Sequence, residues 1–208
     1  VMALKDSIYK KSLKEANFLV LDGVYFAFGS IVLNKKNIKK NSGPDCFEYY
    51  MNYLQLNSGR VFFLGASEST IIKIKNRIKK DYPNIIADGY SPPFKNEFTE
   101  QENNEMLLRV NSFKPNILFV GMTAPKQEKW SFLNKNKINA NLILSVGAVF
   151  DWFSGDQKSI HPIWIKLRLL WLIRTINRPE IWKRQVIALI YFWHVILVFL
   201  GLKKIDNN

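Results

Sequence analysis

Short apolar runs of about four to six residues, separated by amphipathic stretches of about ten to fifteen, recur through the first three quarters of the chain. A chain spaced in this way folds most economically as strand–helix–strand crossovers, which build a mostly parallel sheet. The expected class is therefore α/β, a Rossmann-like sheet with helices on both faces. Strands are expected at Phe18 to Leu21, Val61 to Leu64, Ile85 to Ala87, Ile117 to Val120 and Leu142 to Val146, with helices near Ala3 to Lys14, Asp45 to Leu56, Ser69 to Lys80, Glu100 to Asn111 and Lys126 to Lys135. Ser67 is placed to cap one helix, and Thr99 with Glu102 to form a capping box on another. Ligands of such sheets gather beyond the carboxyl ends of the strands. Asp22, Gly65, Gly121 and Gly147 each follow one of the expected strands, so their corners are expected to share one crevice.

The corner Gly121 Met122 Thr123 Ala124 Pro125 Lys126 Gln127 Glu128 Lys129 Trp130 is the most informative segment. It reads as the end of a buried strand, a tight turn and a helix with Pro125 at its first position. Such a turn offers backbone N–H groups and a positive helix end to an anion. Lys126 is a candidate point charge for a phosphate, and Gln127 offers both a donor and an acceptor. Glu128 and Lys129 read as a solvated face. The same ten residues also fit a strand-turn-helix corner that exists only for packing.

Composition limits the partners. A length of 208 residues supports one full core plus an appendage, and a single cysteine excludes a disulfide framework. The formal charge of +13 requires an anionic counterpart: nucleic acid, lipid head groups or phosphorylated substrates. From Pro162 onward the chain turns to Trp, Leu, Ile and Arg, placing a boundary between an α/β domain, 1–160, and a basic, apolar helical appendage, 161–208. The apolar run from Val186 to Leu202 would rise roughly 25 Å as a helix, against a hydrocarbon core of about 30 Å. Crossing is possible but marginal, the basic and aromatic flanks suit an interfacial or shallowly membrane-inserted helix equally well, and a buried core helix or dimer interface is the plain alternative. Aromatics that cluster with aliphatics, instead of interleaving with lysines on a sheet, argue against nucleic acid. Two histidines, one cysteine and the lack of any Asp-x-Asp pair leave no expected metal site or cofactor. No secretory leader is apparent within residues 1–16.

Further motifs sharpen this picture: Leu21 Asp22 Gly23, then Val146 Gly147 Ala148 Val149 Phe150 Asp151 Trp152 Phe153 Ser154 Gly155, then Arg178 Pro179 and Lys183 Arg184. In this order, with the Gly121 corner between them, they resemble the WecG/TagA/CpsF glycosyltransferases, glycosyltransferase family 26. The resemblance runs from about Val1 to Arg184. It implies that Asp22, otherwise a turn residue beside Gly23, is the base that deprotonates an acceptor hydroxyl. It also implies that Asp151, otherwise an N-cap, belongs to the nucleotide site. Arg174, Arg178 and Arg184 would close over the departing pyrophosphate, and they equally suit acidic lipid head groups. Lys40 stands where the family carries an arginine, so the charge is kept without the bidentate fork.

The chain departs from the family pattern at Leu170, where a glutamate is usual, at Glu180 and Ile181, where an arginine is missing, and at Ile160 His161 Pro162. Family members have a segment before the equivalent of Val1, so an N-terminal piece of the domain is expected to be missing. The implied activity is a metal-independent, inverting transfer of N-acetylmannosamine or a related hexose. The donor would be a UDP-sugar and the acceptor a sugar linked to a polyprenyl diphosphate, at the cytoplasmic face of the membrane, with a homo-oligomer as the implied assembly. The alternative from composition alone is a non-catalytic basic module for a membrane surface.

Overall fold

The computed structural model describes residues 2–20, 29–33, 41–156 and 182–202. By contacts the chain divides into two compact units, 1–19 with 43–157 and 20–42 with 158–208.

The first unit is an α/β layer structure. Its elements run α1 (Met2–Lys5), α2 (Ser7–Lys14), α3 (Gly43–Leu56), β1 (Arg60–Gly65), α4 (Glu68–Asp81), β2 (Ile86–Tyr90), α5 (Glu100–Phe113), β3 (Ile117–Gly121), α6 (Lys126–Asn134), β4 (Leu142–Ser145) and α7 (Val149–Ser154). The four strands are all parallel, in the order β2-β1-β3-β4. The two central strands are apolar at successive positions because both of their faces are covered. Val61, Phe63, Ile117 and Phe119 point to one face, where Phe47 and Met51 of α3, Ile71 and Ile74 of α4, and Phe150 and Phe153 of α7 cover them. Phe62, Leu64, Leu118 and Val120 alternate to the other face, against Met106 and Val110 of α5 and Trp130 of α6. Helices therefore lie on both faces, as the spacing predicts.

The first face is dense in aromatic rings. Phe47 sits 4.8 Å, ring centre to ring centre, from both Phe119 and Phe153. Phe47, Phe63, Phe119, Phe150 and Phe153 are essentially fully buried. Each contributes about 2–3 kcal/mol of transfer free energy, which makes this cluster the apolar anchor of α3, α4 and α7 on that face.

Local signals set most of the boundaries. Ser67 accepts the Thr70 N–H at the start of α4, and Thr99 and Glu102 form the expected capping box on α5. Three expectations need correction. The helix expected from Ala3 to Lys14 is two helices, because the Asp6 carboxylate accepts the Tyr9 N–H and caps α2 from an extended backbone. The strand expected over Phe18 to Leu21 is not formed by residues 18–20, which have no ladder partner among the described residues and leave Phe18 85% exposed, while Leu21 lies outside the described residues. An apolar run becomes a strand only where a sheet edge receives it, and among the described residues neither β2 nor β4 pairs with this run. Pro125 is the N-cap of α6 instead of its first helical residue, since the Lys129 N–H bonds to the Pro125 carbonyl.

In the second unit, residues 29–33 are helical and α8 spans Trp182–Phe199. Gly29 packs directly on the Tyr191 ring, and Ser30 and Val195 are buried. Burial raises the Tyr191 phenol above the ordinary tyrosine range. The helix closes as the Leu202 N–H reaches the Leu197 carbonyl and the Gly201 N–H that of Val198, a Schellman pattern. Among the described residues no helix is long and apolar enough to cross a membrane.

Candidate active site

The order β2-β1-β3-β4 reverses direction between β1 and β3, so the crevice of an open sheet lies beyond the carboxyl ends of those two strands. Gly65 and Gly121 are register partners at that point. The backbones approach so closely that a Cβ on Gly65 would meet the Gly121 carbonyl, and Gly65 has φ +123°. The chain then crosses over β3: the Ala66 N–H donates to the Gly121 carbonyl at 3.2 Å, with Ala66 at φ +58°. An alanine in the left-handed region costs about 1 kcal/mol or more, and it persists here because the Ser91 hydroxyl holds the Ala66 carbonyl at 2.7 Å. Gly121 has a second constraint, since any Cβ there would enter the buried Phe150 ring.

The β3 corner and the β4 corner are joined by one side chain. Gln127, 4% exposed, accepts the Gly147 N–H on Oε1 at 3.1 Å. Its Nε2 donates to Oε1 of Glu128 at 2.8 Å. The other Glu128 oxygen, Oε2, is shut away from solvent and has no hydrogen-bond partner among the described residues. The solvated face expected for Glu128 and Lys129 is thus corrected: Glu128 turns inward, and Lys129 pairs with Asp6 of α2 at 2.9 Å. Helix α2 folds against α6 through that pair, which brings the Tyr9 hydroxyl into the field of Glu128. Burial first, and then that charge, raises the Tyr9 phenol above its ordinary range.

Lys126 is engaged differently from the free phosphate ligand of the sequence reading. Its Nζ donates to the Lys95 carbonyl at 2.8 Å and lies 4.9 Å from the Phe98 ring centre and 5.8 Å from that of Phe94. Burial pulls its pKa below the ordinary lysine range. Lys126 therefore secures the 91–99 loop that follows β2, and that loop leaves Phe94 98% exposed.

Asp151 is the third residue of α7, whose N-cap is Ala148, so its expected alternative as an N-cap is corrected. The end of α7 is tied to α4 by Asp156, which pairs with Lys73 and accepts hydrogen bonds from Thr70 and Ser154. These contacts, with Lys73 first, hold the Asp156 carboxyl below the usual range. The structure thus brings Gly121, Pro125, Lys126, Gln127, Gly147 and Asp151 to the same end of the sheet. Asp22, Lys40, Arg174 and Arg178 lie outside the described residues, as does the side chain of Arg184 on α8. Among the described residues no group of three or more His, Cys, Asp or Glu is placed to hold a metal. Shallow depressions on the outer face of α5 and at the β2 edge, beside Leu108 and Arg109, lie away from the strand ends.

Sequence reasoning missed Glu128, Ser91 and Ala66. For Glu128 the one available signal was its place beside Gln127 in the first turn of a helix that starts at the Gly121 corner, at the carboxyl end of β3.

Comparison with known proteins places the chain among relatives by sequence. Residues 1–204 match the model of the Glycosyl transferase WecG/TagA/CpsF family. A relative from Bacillus subtilis (strain 168), an N-acetylglucosaminyldiphosphoundecaprenol N-acetyl-beta-D-mannosaminyltransferase, is 28% identical over 184 residues, covering 88% of this chain and 70% of the relative. A protein of the same name from Staphylococcus aureus (strain MW2) is 27% identical over 176 residues, covering 85% of this chain and 66% of the relative.

Proposed function

The chain belongs to the WecG/TagA/CpsF family of glycosyl transferases, and from that premise we propose that it transfers N-acetylmannosamine, or a related hexose, from a UDP donor to an undecaprenyl-diphosphate-linked sugar. Membership makes it a glycosyltransferase in place of the non-catalytic module that composition alone allowed. The observation that carries the finer reading is the junction of the β1, β3 and β4 corners at the sheet's switch point, with Gln127 bridging Gly147. The names of the relatives supply the sugar and the lipid-linked acceptor.

In this reading Asp22 takes the proton of the acceptor hydroxyl as that oxygen attacks the anomeric carbon. The bond from that carbon to the diphosphate breaks, and a single displacement inverts the configuration. Arg174, Arg178, Arg184 and Lys40 take up the charge growing on the diphosphate, the task that a metal performs in enzymes with an Asp-x-Asp pair. Gly121, Pro125, Lys126, Gln127, Gly147 and Asp151 form the donor side. Residues 161–208 act as a basic appendage that brings the active site to the cytoplasmic surface of the membrane, where the acceptor lies; α8 lies on that surface.

The test is UDP release with a short-chain lipid-diphosphate sugar and a panel of UDP-sugars, in EDTA, beside Asp22→Asn. Acceptor-dependent release that survives EDTA and collapses in the variant is expected. Release that EDTA abolishes would refute metal independence, and absence of release with every donor would refute the substrate reading.

A further inference from the structure

We infer that Glu128 is a positioning residue of this transferase: it fixes the Gln127 side-chain amide in one of its two orientations and thereby sets which group the amide offers to the donor. The inference rests on the proposed function and adds a residue that the reading above does not use.

An amide side chain can flip, exchanging its oxygen and nitrogen at almost no cost unless both ends are committed. Here both are. The Gly147 N–H requires an acceptor and receives Oε1 at 3.1 Å, while Glu128 requires a donor and receives Nε2 at 2.8 Å. A flipped amide would set NH2 against the Gly147 N–H and oxygen against a carboxylate. Among the described residues the lock leaves Nε2 with one hydrogen uncommitted, so Gln127 meets a ligand as a donor. The group it recognises is then an acceptor, such as a carbonyl or phosphate oxygen of a nucleotide-sugar.

The cost of the arrangement argues against a purely structural role. A glutamate in the first turn of a helix gains from the helix N-terminus while its oxygens remain in water. Glu128 instead keeps Oε2 buried without a partner among the described residues, a penalty of the kind that folds retain at functional sites. Its neighbours impose the inward turn: Lys129 is held by Asp6, and Lys126 by the Lys95 carbonyl, so neither adjacent cation is turned to it.

Three variants of the full chain test this. Glu128→Gln lets the amide flip, and KM for the UDP-sugar should rise about tenfold to a hundredfold with a smaller change in kcat. The Gly147 backbone amide resonance should shift or double in the same variant. Gln127→Glu sets two carboxylates together and should lose both activity and stability. The swap Gln127→Glu/Glu128→Gln restores a donor–acceptor chain to Gly147, so it should recover the melting temperature and the Gly147 resonance but not the KM. An unchanged KM and an unmoved Gly147 signal in Glu128→Gln, with the wild type active, would overturn the positioning role alone. A wild type inactive with every UDP-sugar would overturn the proposed function and this inference with it. If Glu128→Gln does not fold, the swap decides: wild-type KM in the refolded pair refutes the donor role of Gln127.

Discussion

The backbone N–H of Gly147, just past β4, donates to the side-chain oxygen of Gln127 in the first turn of α6, and this one bond joins two strand-end corners twenty positions apart in sequence. Both corners flank the place where an open parallel sheet binds its ligand, so the bond sets the width of one side of the crevice. Gln127→Ala removes the acceptor and leaves a part-buried N–H without it. We expect a loss of about 1–3 kcal/mol in urea unfolding, and a fall in kcat/KM of about a hundredfold as the corners lose their spacing. A loss of stability without a loss of kcat/KM would place the ligand elsewhere.

Gly121 and Phe150 make a second relationship that mutation can read. Phe150 is buried against the end of β3, and the position of a Gly121 Cβ falls within its ring. Gly121→Ala must displace that ring from the aromatic cluster, a cost of about 1–3 kcal/mol for overpacking. Adding Phe150→Leu vacates part of the space, so the double variant should be more stable than the sum of the two single changes. A double-mutant cycle in urea measures this coupling, and strict additivity would refute the contact.

The parts of this fold that could be read in the sequence are those set by neighbours within one turn or one strand. Val61 to Leu64 and Ile117 to Val120 announce central strands because two covered faces demand apolar residues at every position. Ser67, Thr99 and Glu102 announce helix starts because a cap is a bond across three residues. The strand at Ile86–Tyr90 ran past its expected end because an edge strand pairs through its backbone, and Asp88, which side-chain pattern excludes, is held by Lys75 at 2.7 Å. Phe18 to Val20 had the composition of a strand and lacked, among the described residues, only a neighbour, which composition does not encode. Asp6 was read as one more helical position, although its carboxylate caps the helix that it was expected to lie within.

The candidate site shows the same division. The glycines and the helix start near Gly121 follow from turn geometry and were legible. The inward turn of Glu128 and the seating of Lys126 on Lys95, Phe94 and Phe98 are tertiary choices made by loops more than thirty residues away in the case of Lys126. A polar residue at a surface-like helical position looks alike in sequence whether it meets water or a buried amide.

The seating of α6 gives a third prediction. Asn103 of α5 accepts both the Trp130 indole N–H at 2.8 Å and the Asn134 amide at 3.1 Å, and so fixes α6 from its middle to its end. Asn103→Leu strands the Trp130 indole N–H and one Asn134 amide hydrogen, while Asn134 Nδ2 keeps its bond to the Trp130 carbonyl at 2.9 Å. The expected cost is about 2 kcal/mol or more, with a shift in tryptophan fluorescence, while KM for the donor changes little because Gln127 lies at the opposite end of the helix. A large rise in KM would mean that the axis of α6, and not only its first turn, controls the site.

The last prediction concerns pH. Asp6 accepts the Tyr9 N–H and pairs with Lys129, and these contacts, the backbone bond first, hold its carboxyl below the ordinary range in the folded chain. A group whose folded pKa lies below its unfolded value contributes stability that is present above the unfolded pKa of about 4 and is lost as pH falls through the folded value. The difference in unfolding free energy between wild type and Asp6→Asn should therefore be level from about pH 7 to pH 5 and shrink steadily below about pH 4. Because the pair joins α2 to the first turn of α6, the same titration should loosen the Glu128–Gln127 corner, and protection of the Gly147 amide from hydrogen exchange should decline over the same acid range. A difference that stays constant down to pH 2.5 would show that the carboxylate's charge contributes nothing to the joint between α2 and α6.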